Sequence, residues 1–83
     1  MEFNRLLKVT NSNNEELVLK IGDIIDITLT NESAKRWLVE ENKLLIGRTI
    51  IDFCEDSIRI KATPDYPYDC HIYFNEITNI NFY

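Results

Sequence analysis

Apolar and polar residues alternate with a period of two along most of the chain, which is the signature of strands with one buried face. The clearest run is Asp56 to Ala62. Ile58, Ile60 and Ala62 fall on one side of it, and Ser57, Arg59 and Lys61 on the other. Just before it, Leu45 to Phe53 places Leu45, Thr49, Ile51 and Phe53 on a common face. Glu55-Asp56 between the two runs predicts a tight hairpin turn. Asp69 to Phe74 alternates again, with Cys70, Ile72 and Phe74 on one side and His71 and Tyr73 on the other. A helical turn is predicted at 75–78, then a last strand over 79–83 with Ile80 and Phe82 inward.

The first half reads the same way. Runs over 3–10 and 16–21 flank Asn11-Ser12-Asn13-Asn14, residues that favour turns by bonding side chain to backbone. This predicts an N-terminal hairpin. A bend at Gly22-Asp23 leads into a third strand with Ile25, Ile27 and Leu29 on one face. Residues 31–43 break the period. Ala34, Trp37 and Leu38 have helical spacing, Asn31 suits a cap, and Glu32, Arg36 and Glu40 alternate in sign four apart. A short helical insert is predicted there, against a competing strand through 36–40.

Eighty-three residues allow one small domain, 1–83, with a thin core. A dinucleotide-binding fold needs far more chain. Nine Asn and twelve Ile against two Gly and two Pro hint at a low-GC bacterium or its phage. No run of 18 apolar residues exists and no secretory signal pattern is seen, so a cytoplasmic location (bacterial, or the host's if phage-encoded) without membrane contact is expected.

From Leu44 onward the order strand, tight turn, strand, loop, strand, helical turn, short strand resembles the SH3-like and Sm-like small barrels. Gly47-Arg48-Thr49-Ile50-Ile51-Asp52-Phe53 followed by Asp56 is similar to the Gly-x-apolar…Asp stretch of Sm-like proteins. Residues 72–80, IYFNEITNI, are similar to their closing strand, turn and strand. The resemblance covers about half the chain. It lacks the basic closing-strand residues with which RNA-binding members contact RNA. The fold class expected is mainly β: a small SH3-like or Sm-like barrel, or a strongly bent antiparallel sheet, with an N-terminal hairpin and a helical insert near 31–43.

Catalytic chemistry finds little support. Cys54 and His71 share outward parity, so they could meet as nucleophile and base, but Asp52, Glu55 and Asp56 surround Cys54 and work against a thiolate nucleophile. Cys70 and His71 are strand neighbours facing opposite sides, which does not suit one metal ion. Cys54 and Cys70 differ in parity, against a disulfide. Two glycines cannot make a phosphate-cradling loop. No catalytic residue, metal ligand or cofactor is expected, and the chain is not expected to be an enzyme. Pro64-Asp65-Tyr66-Pro67 is read as a loop.

Charge sharpens the picture. Fourteen acids against nine Lys and Arg give a net charge of −5. The imbalance concentrates after Lys61, where 22 residues hold Asp65, Asp69 and Glu76, no Lys or Arg, and six of the nine aromatics. Tyrosines beside acids suit a protein interface, and acids steer basic partners. The expected function is a non-catalytic protein-binding module that docks through Asp65, Tyr66, Tyr68, Asp69, Tyr73 and Glu76, with Trp37 as a further anchor. Its sharper form is an inhibitor occupying a basic, nucleic-acid-binding surface, as phage anti-defence and DNA-mimic proteins do. Nucleic acid itself is not the expected partner, because phosphate binding rests on Lys and Arg clusters. The alternatives are an Sm-like or SH3-like nucleic-acid binder using Arg48, Arg59 and Lys61, and a homo-oligomeric ring paired through the edge at 79–83.

Overall fold

The computed structural model describes residues 6–61 and 69–83. Asp65, Tyr66 and Tyr68 of the expected docking residues, together with Ala62 and both prolines, lie outside the described residues. The elements are β1 (Leu6–Thr10), β2 (Glu16–Lys20), β3 (Ile24–Leu29), α1 (Asn31–Arg36), β4 (Leu44–Phe53), β5 (Ser57–Lys61), β6 (Asp69–Tyr73) and, after a 3-10 turn at Phe74–Glu76, β7 (Ile77–Phe82). β1 and β2 form a hairpin, and the other five strands form one antiparallel sheet in the order β6-β5-β4-β3-β7. Of the two architectures the pattern allows, the bent sheet with an N-terminal hairpin is the one found. The sheet ends on β6 and β7, and no pairing among the described residues closes it into a barrel.

The core is dominated by isoleucine, whose branched side chain fits a half-buried pleated surface. Ile25, Ile27, Ile50, Ile58, Ile60 and Ile72 are fully buried together with Leu29 and Leu45. The hairpin supplies the cover. Its cross-strand pairs Leu7–Leu19 and Val9–Leu17 share one face, which packs on this core with Leu19 fully buried. Asn11 organises the hairpin turn. Its Oδ1 accepts from the backbone N–H of Asn13 and Glu15, each at 3.0 Å. At the β2–β3 corner Gly22 adopts φ +94°, and its N–H donates to Ile50 O at 2.8 Å.

β4 departs from simple alternation twice. Ile25 opposes Arg48 while Ile27 opposes Leu45, so β4 carries one residue more than β3 there. Ile50 opposes Ile60 while Asp52 opposes Arg59, so β4 carries a second extra residue against β5. Each bulge reverses the facing of the residues beyond it. The buried residues of β4 are therefore Leu45, Ile50 and Phe53, and the expected Thr49 and Ile51 are only half-buried. The first bulge centres on Gly47 at φ +65°, whose N–H donates to the Asp26 carboxylate at 2.9 Å. These bends let one ten-residue strand pair with β3 at its start and β5 at its end.

α1 forms within the 31–43 break, but its cap is Thr30 rather than Asn31: the Thr30 hydroxyl accepts from Ser33 N–H at 3.3 Å. Ala34 is buried and Trp37 and Val39 pack on the core, whereas Leu38, expected on the same face, is 87% exposed. The reason is that the helix stops one turn early. Leu38 takes the left-handed φ of +60°, and Val39 N–H then bonds back to Ala34 O at 2.9 Å.

Candidate protein-binding surface

The outer face of β5 and β6 is built by register. Arg59 opposes Asp52 on one side and His71 on the other, and Ser57 opposes Tyr73. Asp69, His71 and Tyr73 thus share the outer side of an edge strand, so two of the expected docking residues are together. Arg59 forms an ion pair with Asp69 along the diagonal. Ser57 Oγ and His71 Nδ1 lie 3.1 Å apart, in hydrogen-bond range. The parity shared by Cys54 and His71 does bring them near, with Sγ 4.0 Å from Nδ1. That same ring nitrogen already faces the nearer Ser57 hydroxyl. Cys54 and Cys70 are both free thiols. Among the described residues no three His, Cys, Asp or Glu side chains gather as a metal site.

Glu76 and Trp37 lie elsewhere. Glu76 is buried. One carboxylate oxygen pairs with Arg36 and accepts from the Ser33 hydroxyl at 3.2 Å, and the other accepts from Tyr73 N–H at 2.9 Å. It ties the 3-10 turn to α1. Trp37 is half-buried against the core, with its Nε1 buried and without a partner among the described residues. Both acids described in the C-terminal segment are therefore engaged by arginines of the chain itself. The three basic residues do not form one patch. Arg48 falls on the core side of β4 with Nε buried, Arg59 is taken by Asp69, and Lys61 alone of the three is exposed.

The aromatics are more exposed than alternation predicts. Tyr73 is outward as expected, but Phe74 and Phe82, expected inward, are 38% and 47% exposed. Phe74 leaves the β6 ladder to start the 3-10 turn, its N–H bonding to Asp56 O at 3.0 Å. Phe82 keeps its inner register opposite Ile25, but it stands at the end of the edge strand where the core gives out. Tyr83 follows at 75% exposure, its ring lying 3.4 Å from where a Gly47 side chain would begin.

Sequence reasoning missed a groove of about 290 Å³ between β1 and β7, lined by Leu7, Val9, Thr10, Phe74, Ile77, Thr78, Asn79 and Ile80. Its one legible trace was the uncharged run 77–82. The approach of β1 to β7 is a long-range event held by two bonds: Asn11 Nδ2 donates to Asn81 Oδ1 at 2.8 Å, and Ser12 N–H donates to Asn79 Oδ1 at 2.8 Å. No protein-family model, curated protein or solved structure matches the chain. No helix among the described residues is long and apolar enough to cross a membrane.

Proposed function

We propose that the protein is a non-catalytic protein-binding module that docks through exposed aromatics of its last third, centred on Tyr73 and Phe74. The observation that supports this is the exposure of Tyr73, Phe74, Phe82 and Tyr83 within eleven residues. Large aromatics left in water serve interfaces well, because they bury much area and lose little rotamer freedom. The sharper form, an inhibitor imitating nucleic acid toward a basic surface, asks for carboxylates turned to solvent. In the C-terminal segment the described acids Asp69 and Glu76 pair with Arg59 and Arg36, so we attach the binding there to aromatic area.

The test is site-specific photo-crosslinking in a low-GC bacterial lysate, with p-benzoylphenylalanine placed at Tyr73 or, as a control, at Glu41 in the loop after α1. The expected result is a discrete product from position 73 alone, lost when Phe74→Ser is added. Equal products from both positions, or none from 73, overturn the reading.

A further inference from the structure

We infer that the edge of β7, together with the groove beside β1, takes an extended polypeptide segment from a partner as an added strand; this deepens the protein-binding reading and rests on it. Thr78, Asn79 and Ile80 are consecutive and all line the groove. Side chains of consecutive strand residues point to opposite faces, so what three in a row present jointly is the backbone edge. The register agrees. Tyr83 N–H donates to Ile24 O, and Asn81 and Asn79 oppose Asp26 and Thr28. By the alternation of antiparallel ladders, Ile80 and Phe82 then turn their N–H and C=O groups away from β3. No described strand pairs on that side.

Edges are ordinarily blunted by charge or proline. β7 has neither, although an extra residue at Thr78 bends its start. Strand addition uses backbone bonds for affinity and pockets for alternate side chains. Here Leu7 and Val9 give the pocket an apolar wall, and no charged residue lines it. A charged side chain seated there would be desolvated without a partner, so the seated residues are apolar. At the closed end, where Asn11 bonds Asn81, the exposed Glu15 and Glu16 favour a Lys or Arg just beyond the seated stretch. Area argues against a second copy of this chain as the occupant. Six residues extend only about 20 Å. Edge-to-edge contact over that length falls short of the roughly 1,200 Å² of a stable interface. A strand in the groove is instead contacted by both β7 and β1.

The experiment uses the whole chain and a capped peptide of alternating valine and threonine with a lysine at each end, followed by NMR and amide exchange. Saturating peptide is expected to slow exchange at the Ile80 amide by at least about tenfold. Thr78→Lys crowds the groove and is expected to weaken binding about tenfold or more. The same peptide N-methylated on alternate residues is expected not to bind. Undiminished binding of the N-methylated peptide means an apolar pocket without strand pairing and overturns the inference. So does protection at Ile80 that tracks protein concentration without peptide, which means self-pairing. Absence of binding overturns it too. The photo-crosslink from position 73 reports on the broader reading separately. If it persists while the peptide experiment fails, only the groove assignment falls.

Discussion

Ile50 and Ile51 are neighbours at the second bulge of β4, where Ile50 is paired and Ile51 is the extra residue, and one is fully buried and the other half-buried. Ile50→Ala should cost about 2–5 kcal/mol, the range for emptying a closed core site. Ile51→Ala should cost clearly less, below about 1.5 kcal/mol. Urea titration of the two variants separates them, and equal losses would mean that the bulge is misplaced. Gly47 carries a second constraint of this scale. A side chain there must adopt a left-handed φ and meet the Tyr83 ring. Gly47→Ala should destabilise by about 1–2 kcal/mol, whereas Gly22→Ala, at a site with open space around it, should lose only the backbone part of that. Here the limit of sequence reading is physical. Alternation assumes one residue per step, and a residue inserted into one strand breaks that assumption without altering composition.

At the scale of elements, existence and order were legible and boundaries were not. The N-terminal hairpin, the third strand with Ile25, Ile27 and Leu29 inward, the insert near 31–43 and the tight β4–β5 turn all stand where the pattern puts them. The helix end was illegible because a leucine occupies a left-handed position usually given to glycine or asparagine. That suggests an improvement. Leu38 contributes no core contact, so Leu38→Gly should relieve the strain and raise stability by about 0.5–1 kcal/mol, seen as a higher melting temperature in a calorimetric scan. A fall would show that the exposed leucine has a packing role.

Across the whole molecule, the hairpin and the sheet are separate ladders joined by the shared core and by two asparagine bonds, Asn11–Asn81 and Ser12–Asn79. Replacing Asn79 and Asn81 together by alanine should cost about 1–3 kcal/mol in all. Faster amide exchange is expected in β1 and β2 while β4 and β5 keep their protection. Uniform acceleration would mean that hairpin and sheet open as one unit. The candidate site was legible in the same uneven way. The accumulation of aromatics after Lys61 was read directly, and Asp69 and Tyr73 do share a face. That Glu76 would be claimed by Arg36 could not be read, because the two are forty residues apart, and the Arg59–Asp69 pair needed the register of β5 on β6.

The paired bulges of β4 behave like two frameshifts that suppress one another. Leu45 and Phe53 are an even number of steps apart, and both face inward, just as they would on a strand with no bulge. Only the residues between them read out of phase. Deleting the extra residue at either bulge should remove that bulge and leave the pairs on both sides of it facing as before, and deleting one at each should give a shorter, flatter strand. Length variation among related chains in this strand should therefore come in single residues, placed at the two bulges.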